Sequence, residues 1–300
     1  MKSILIIGCG LIGSSVLRAV HSKKLSKNIY VYEKSKKNIS VIKKLKIGCK
    51  IINKLDNVSN NFDLIILCTP MSQYKNVITK INKNILNNTI ITDVGSTKES
   101  SSKQVRKILN KNKIWIPSHP IAGSEISGAE HGDKNLFKNK WCVLIKEKNT
   151  KKKYLSKLRA FWKKLGSKVI IMNSKQHDIV FSMTSHLPHL IAYNLVKTAT
   201  DFEKKKKYNL IKYSAGGLRD FSRIAASNEI MWRDVFFSNQ KNIISGINLF
   251  IRNLNLFKKN IKRRENKQLI KKLINSKKVR KQIISLNKIL IDLILADRNL

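Results

Sequence analysis

Three of the six histidines in this chain of 300 residues stand in contexts suited to proton transfer. His119 lies in SHPIAGSEISG, directly after the apolar run KIWIP, and shares that short segment with Glu125. A histidine side chain titrates near neutral pH and can therefore act as a general base. A plain turn after a strand needs neither side chain, so this segment predicts a site at which a proton is moved.

His186 and His189 occur as SHLPH inside an apolar helical run, where a spacing of three places them on one helix face. Pro188 lacks an N–H donor and should kink that helix, freeing a carbonyl near Thr184. A zinc site would need further ligands, and neither an H-E-x-x-H pattern nor a cysteine pair supplies them, so we expect no metal. The alternatives are core histidines bonded to backbone carbonyls, or polar groups that line a substrate pocket.

A glycine pair precedes an arginine and an aspartate, with a second arginine four residues further on, in SAGGLRDFSRIAASNEIMWRD, residues 214 to 234. The second of these arginines, Arg223, offers a planar fork that can hold a carboxylate through two hydrogen bonds. A surface ion pair is the alternative for any single arginine. The glycines and the flanking aromatic residues favour the rim of a pocket that binds an anion.

Gly8, Gly10 and Gly13 form a G-x-G-x-x-G pattern between the strand-like run SILIIG and a helical run. The first glycine permits a tight turn, the second lets the backbone approach a pyrophosphate, and the third lets the helix pack on the strand. The N-terminus of the helix that follows offers free N–H groups to a phosphate, and Leu11 and Ile12, inside the pattern, are expected to bind the cofactor as well. The pattern therefore predicts a dinucleotide site.

Glu33 ends the next strand-like run, NIYVYE, twenty residues after the last glycine, where its carboxylate can accept hydrogen bonds from ribose hydroxyls. This carboxylate would repel a 2′-phosphate, which favours NAD over NADP, although residues 34–36 could bind such a phosphate. Cys68, Thr69 and Pro70 end the run FDLIILCTP, near the expected position of the nicotinamide. The alternatives are a solvated charge for Glu33 and a simple turn for the other three residues.

Two kinds of structure must position these residues. Up to about residue 172, β-branched runs alternate with amphipathic ones, which is typical of strands joined through helices into a parallel sheet. WCVLIK and SKVIIM are expected to join that sheet on either side of a helix from Lys152 to Leu165. Beyond residue 174 the apolar spacing is helical throughout. We therefore predict an α/β domain over residues 1–172 and an all-α domain over residues 173–300.

The helical part carries more apolar faces than half a chain needs for its own core. One such face would contain Ile243, Ile247, Phe250, Leu254 and Phe257. The surplus favours a helical core that continues into a homodimer interface, with a self-contained bundle as the alternative.

The net charge of +43, from 61 Lys+Arg against 18 Asp+Glu, would suit a nucleic-acid partner. Lysine is spread over the chain with asparagine and isoleucine, however, and A/T-rich codons serve all three. The runs at residues 151–153 and 204–207 fall at an expected helix start and an expected loop, without interleaved aromatic residues. We expect no nucleic-acid partner, although a positive field would help to capture anionic small molecules.

The four cysteines, Cys9, Cys49, Cys68 and Cys142, show no C-x-x-C spacing and are interpreted as reduced thiols. The first apolar run is too short for a signal peptide or a membrane span. A cytoplasmic protein is therefore expected.

The segments GCGLIGSS, TDVGSTK, HPIAGSE, SHLPH, GGLRDFSRIA and IMWRD, in this order, resemble the prephenate and arogenate dehydrogenase family of tyrosine biosynthesis. The resemblance spans nearly the whole chain. It implies a Rossmann-type NAD-binding α/β domain followed by an all-α dimerisation domain. The implied reaction is NAD(P)-dependent oxidative decarboxylation, of prephenate to 4-hydroxyphenylpyruvate, of arogenate to tyrosine, or of both.

The resemblance also implies roles for individual residues. His119 matches the family's base for the ring hydroxyl, and Ser96 in TDVGS matches a serine near that hydroxyl and the nicotinamide, with a helix N-cap as its alternative. Arg223 matches the arginine that binds the ring carboxylate, and His189 matches a substrate-binding histidine. Five further residues are expected around the pocket: His186, Ser124, Glu125, Asp220 and Trp232.

Three questions stay open in the sequence. Asp178, near the start of the SHLPH helix, could orient a partner charge or simply be an acidic residue of a first turn. Glu125 could favour the ammonium of arogenate, but its direction is not fixed. A β-hydroxyacid type dehydrogenase is the second interpretation and a basic nucleic-acid-binding protein the third. The β-hydroxyacid interpretation ranks lower because such enzymes use a catalytic lysine in the helical domain, whereas this chain has the histidine segment and SHLPH.

Overall fold

The computed structural model describes residues 1–56, 61–207 and 209–296, with side chains described as far as residue 285. The chain forms two compact units, Met1–Ile243 and Ile244–Leu300. Within the described ranges, no helix is both long enough and apolar enough to cross a membrane.

Six parallel strands form the central sheet of the first unit, in the order β3-β2-β1-β4-β5-β6. The strands are β1 Ser3–Ile7, β2 Asn28–Tyr32, β3 Lys50–Ile52, β4 Leu64–Leu67, β5 Ile90–Asp93 and β6 Ile114–Trp115. From β1 the chain first adds β2 and β3 on one side and then β4, β5 and β6 on the other. This change of side between β1 and β4 opens a crevice at the carboxyl ends of the strands. This is the Rossmann-type arrangement predicted from the sequence, and that prediction is confirmed.

Helices cover both faces of this sheet. They are α1 Leu11–Ser22, α2 Lys36–Lys44, α3 Tyr74–Ile81, α4 Glu99–Ile108 and α5 Lys152–Leu165. Along β1 the side chains alternate between the two apolar cores, with Ile4 and Ile6 in one core and Leu5 and Ile7 in the other. Because both faces are buried, β1 is a continuous apolar run rather than an alternating one. The helix predicted at residues 152–165 has the predicted bounds.

A second sheet of three strands lies outside the central one. It consists of β7 Ser118–Pro120, β8 Trp141–Ile145 and β9 Lys168–Met172, with β7 antiparallel and β9 parallel to β8. The prediction that β8 and β9 extend the single parallel sheet was therefore wrong. Three residues are too few to show a strand period, so β7 carries no signal in the sequence.

Helices make up the remainder of the first unit and the start of the second. They are α6 Ser174–Phe181, α7 Leu187–Lys206, α8 Gly216–Ile224, α9 Glu229–Ser238 and α10 Gln240–Lys262. A π-helical turn, Ser182–His186, joins α6 to α7 and places Pro188 in the first turn of α7. An N–H group in the first turn of a helix has no acceptor within that helix, so a proline is accommodated there. The preceding π turn is the local irregularity beside it. Residues 204–206 end α7 instead of lying in the loop predicted for them.

The second unit contains the rest of α10 and α11, Asn266–Ala296. The ammonium of Lys272 in α11 lies 5.3 Å from the ring centre of Phe257 in α10 and also hydrogen bonds with Asn260. Of the apolar face predicted on α10, Leu254 is 55% exposed and Phe250 is 38% exposed in the single chain. A face of that kind is available to another protein surface.

The contact between α1 and the loop before it predicts one stability difference. A Cβ atom on Gly13 would lie 2.1 Å from the carbonyl oxygen of Gly8, whereas a Cβ on Gly10 would meet nothing within 4 Å. We expect Gly13→Ala to lower the free energy of unfolding by about 1–3 kcal/mol, because the helix must shift. Gly10→Ala, the matched control, should change it by less than about 0.5 kcal/mol. Equal losses in chemical denaturation would contradict this packing.

Candidate active site

The glycine loop and the end of β4 meet at the crevice of the central sheet. Gly8 has a φ of +88°, and a Cβ there would lie 2.9 Å from the Cys68 carbonyl and from Thr69 Cγ2. The first helical hydrogen bond of α1 runs from Ser14 N to Gly10 O, so the preceding N–H groups are not used by the helix. The structure thus gathers the predicted nucleotide-binding residues Gly8, Gly10, Leu11, Ile12, Gly13, Cys68, Thr69 and Pro70.

Glu33 lies just beyond the end of β2, beside the same loop. Its carboxylate accepts hydrogen bonds from the N–H groups of Cys9 (2.6 Å), Lys34 (2.7 Å) and Ser35 (2.8 Å). These three bonds hold the negative charge at the carboxyl edge of the sheet. A dinucleotide site requires three features: a tight turn such as the one at Gly8, a helix N-terminus and a carboxylate held in place.

His119 lies on β7 and begins a chain of hydrogen-bonded rings. Its Nδ1 is 2.8 Å from Nε2 of His177, and Nδ1 of His177 is 2.8 Å from Oδ1 of Asp178. An ionised carboxylate only accepts, so His177 donates through Nδ1 and its Nε2 must accept the Nδ1–H of His119. The Nε2 atom of His119 therefore carries a lone pair, as a general base requires.

Burial keeps these rings neutral. It lowers the pKa of His119 well below the ordinary value, and the nearby His177 and the Lys98 ammonium lower it further. Burial also lowers the pKa of His177, against the opposing effect of its hydrogen bond to Asp178. His119 is consequently in its proton-accepting form at neutral pH.

Asp178 also accepts hydrogen bonds from the main chain at the start of α4. Its two carboxylate oxygens accept hydrogen bonds from the N–H groups of Lys98 (2.8 Å) and Glu99 (2.9 Å), at the start of α4. Negative charge is favourable at a helix N-terminus, where these donors have no partner inside the helix. The N-cap position of α4 is Lys98, so the alternative role of Ser96 as the N-cap was wrong.

A buried ion pair between Lys98 and Asp93 contacts the main chain of β7. The Lys98 ammonium is fully buried, 2.6 Å from Oδ2 of Asp93 and 2.6 Å from the Ser118 carbonyl oxygen. Asp93 also accepts from the Tyr74 hydroxyl at 2.9 Å and from the Ser118 N–H at 3.2 Å. Burial lowers the pKa of Lys98, while Asp93 opposes that shift. The ion pair links the end of β5 to the strand that carries His119.

Three residues of this network, Lys98, Asp93 and His177, were not predicted from the sequence. A signal existed, because Asp93 and Lys98 both belong to TDVGSTK and His177 directly precedes Asp178. Their pairing depends on how α4, α6 and β7 approach one another, and no local spacing reveals that.

A second aromatic group brings together three of the predicted pocket residues. The ring of His189 stacks on Trp232 with 3.8 Å between ring centres, and His186 meets the same Trp232 edge-on at 6.2 Å. His189 Nδ1 bonds the Ser185 carbonyl at 2.8 Å. Burial lowers the pKa of His186 to about 4 and also lowers that of His189. The Ser96 main chain lies close enough to His186 to oppose the shift in its pKa.

The remaining predicted residues lie at the surface. Arg223 on α8 forms an ion pair with Glu125, and their side chains are 64% and 31% exposed. The negative charge of Glu125 also raises the pKa of His189, which connects this ion pair to the aromatic group. Ser124 bonds only within its own segment, and Asp220 is exposed without an ion pair to any described residue. Arg223 is thus a surface ion pair in this structure rather than part of a packed rim.

His186 and His189 do not approach a cluster of metal ligands. Over the described part of the chain, no three His, Cys, Asp or Glu residues are grouped so as to hold a metal ion.

Two family models match the chain in sequence. The model described as "Prephenate dehydrogenase, nucleotide-binding domain" matches residues 16–171, and "Prephenate dehydrogenase, dimerization domain" matches residues 173–275. Among curated relatives, a cyclohexadienyl dehydrogenase of Zymomonas mobilis is 32% identical, covering 93% of this chain and 95% of the relative. A prephenate dehydrogenase of Lactococcus lactis is 33% identical, covering 93% and 77%.

The fold is also similar to a solved structure. The crystal structure of prephenate dehydrogenase from Aquifex aeolicus, in complex with hydroxyphenyl propionate and NAD+, matches with a TM-score of 0.88 and 32% identity. The match covers 94% of this chain and 98% of the other.

The buried ion pair predicts a large effect of one substitution. Lys98→Met should lower the free energy of unfolding by about 3–5 kcal/mol, because it leaves the Asp93 carboxylate buried without a counter-charge. Lys103→Met is the matched control, since Lys103 pairs with Glu99 at the exposed surface of the same helix. That variant should lose no more than about 0.5 kcal/mol. Similar urea midpoints for the two variants would show that the buried pair does not stabilise the fold.

Proposed function

Because the chain belongs to the prephenate dehydrogenase family, we propose that it oxidatively decarboxylates prephenate, arogenate or both, with NAD as the oxidant. The reaction belongs to tyrosine biosynthesis. The observation that carries the proposal is the lone pair on Nε2 of His119, which the hydrogen bonds from Asp178 through His177 impose on a buried, neutral ring.

The cofactor is proposed to bind along the crevice of the central sheet. The glycine loop and the first turn of α1 would hold the pyrophosphate, and Glu33 would accept hydrogen bonds from the adenosine ribose. Cys68, Thr69 and Pro70 would lie beside the nicotinamide. When bound, NAD accepts a hydride from the ring carbon that carries the hydroxyl. The fixed charge of Glu33 supports NAD over NADP, because a 2′-phosphate would be repelled.

His119 is proposed to take the ring hydroxyl proton on Nε2 as the hydride leaves. The positive charge that then forms on the ring is shared along the hydrogen bonds toward the Asp178 carboxylate, which stabilises it. Ser96 would hydrogen bond near the same hydroxyl. Formation of an aromatic ring drives the loss of carbon dioxide, so the protein needs to hold the substrate carboxylate rather than to expel it.

Arg223 and His189 are proposed to bind the substrate, with His186, Ser124, Glu125, Asp220 and Trp232 around them. Arg223 is now paired with Glu125, and a substrate carboxylate would replace that partner with a bidentate one. The choice between the keto group of prephenate and the ammonium of arogenate would then depend on Glu125, once its carboxylate is released.

We also propose a homodimer formed through residues 173–300, with residues 1–172 as the NAD-binding domain. The match to a dimerization domain and the exposed apolar residues of α10 support this assembly. A cytoplasmic location is proposed from the four free cysteines.

The purified protein should reduce NAD in the presence of prephenate, arogenate or both. Each substrate is combined with each of NAD and NADP, and the reduced nicotinamide is followed by its absorbance. Higher kcat/KM with NAD than with NADP is expected, because the Glu33 carboxylate would repel a 2′-phosphate. Absence of turnover in all four combinations would contradict the proposed function.

His119→Asn should retain NAD affinity and lose kcat by a factor of about 10² to 10⁴, because the base is gone while the binding residues remain. His131→Asn is the control, since His131 is an exposed histidine outside both aromatic groups. Steady-state kinetics at saturating NAD provides the comparison. Normal turnover in His119→Asn would show that another group takes the proton.

A further inference from the structure

Asn239 lies between α9 and α10 and is almost fully buried. Its Nδ2 is 2.8 Å from the carbonyl oxygen of Asp178 and 3.1 Å from Nδ1 of His186. A carbonyl oxygen can only accept a hydrogen bond, so the amide atom beside it must be the nitrogen. The side chain of Asn242 donates to Oδ1 of Asn239 at 2.8 Å, which agrees with this orientation. The Asp178 carbonyl is thus the group that fixes the Asn239 amide.

This orientation determines the tautomer of His186. Since Nδ2 of Asn239 is a donor, Nδ1 of His186 must be the acceptor, and the ring proton then resides on Nε2. The ring stays neutral at physiological pH because burial lowers its pKa to about 4. His186 thus presents an N–H group, and not a lone pair, at its far end.

That N–H group has no hydrogen-bond acceptor among the described residues. Nε2 of His186 is buried and makes no hydrogen bond with a described residue, although the Ser96 main chain lies near enough to the ring to oppose the fall in its pKa. The indole Nε1 of Trp232 is a second buried donor without an acceptor, on a ring 6.2 Å from that of His186. Buried donors are nearly always satisfied in folded proteins. Two such donors on adjacent rings offer hydrogen bonds to an oxygen of a bound ligand.

We propose that Asn239 is a positioning residue that fixes His186 as the Nε2-protonated tautomer, so that its N–H donates to an oxygen of a bound ligand. The identity of the ligand rests on the proposed function. The accepting oxygen would belong either to the substrate or to the carboxamide of the nicotinamide. The opposite tautomer would direct a lone pair at that oxygen and repel it. Asn239 therefore acts on binding through His186, without touching the ligand.

The tautomer is measured on the full-length protein without ligands. Two-bond ¹H–¹⁵N correlation spectra of histidine-labelled protein distinguish protonated from unprotonated ring nitrogens, and His186→Gln assigns the signals. We expect the Nε2–H form in the wild type and in Asn242→Leu, which leaves both bonds of Nδ2 intact. Asn239→Asp should move the proton to Nδ1, because a carboxylate can only accept there. An Nδ1–H ring in the wild type would overturn the proposal, even if the Asn239 variant did not fold.

The effect on binding is tested by two substitutions of the ring itself. His186→Gln places an amide N–H near the position of Nε2, whereas His186→Leu has no donor. His186→Leu should weaken binding of one ligand by about tenfold, and His186→Gln should stay within about threefold of the wild type. A higher Kd for NAD alone assigns the acceptor to the nicotinamide, and a higher KM at unchanged NAD affinity assigns it to the substrate. Wild-type affinities for both ligands in His186→Leu would overturn the proposal.

These outcomes are separate from those of the turnover assay. The tautomer and the Kd for NAD are measured without catalysis, so a wild-type protein inactive on both substrates would refute the proposed function while the spectra still decide the role of Asn239.

Discussion

The carboxylate of Asp178 receives hydrogen bonds from two layers of the molecule at once. From the sheet layer come two main-chain N–H groups at the start of α4, and from its own helix comes the ring of His177. All three donors use acceptor atoms of one carboxylate, which therefore cannot rotate without losing a hydrogen bond. The position of α6 against α4 and the orientation of the His177 ring are set by the same group.

Buried charge has a cost that the fold must offset elsewhere. Lys98 and Asp93 are both fully buried, and such pairs often contribute little net stability because desolvation opposes their attraction. What the pair supplies here is position, since the Lys98 ammonium also binds the Ser118 carbonyl directly before His119. Its positive charge, moreover, helps to keep His119 unprotonated. The pair thus helps to hold His119 in place and in its neutral form.

Much of this architecture could be predicted from the sequence, because it depends on local pattern. The strands β1, β2, β4 and β5, the helix at residues 152–165 and the glycine loop all have periods or spacings that physical rules interpret. The second sheet could not be predicted, since β7 has three residues and pairs with β8 more than twenty residues away. The relay from Asp178 to His119 was equally hidden, because a hydrogen bond between residues 58 positions apart leaves no trace in local spacing. The sequence indicated which side chains are candidates for chemistry, but not which of them form hydrogen bonds with one another.

The central claim is that Asp178 imposes the tautomers of His177 and His119, and Asp178→Asn tests it most directly. An asparagine can still accept a bond from the start of α4, but its amide can also donate to His177 and so reverse both rings. The measurement is kcat/KM at neutral pH, together with the Kd for NAD as a control for folding. The account predicts a loss in kcat/KM of about 10² to 10⁴ with NAD affinity retained, in line with the loss seen when a carboxylate that orients a catalytic histidine becomes an amide. A variant within about threefold of the wild type would contradict it.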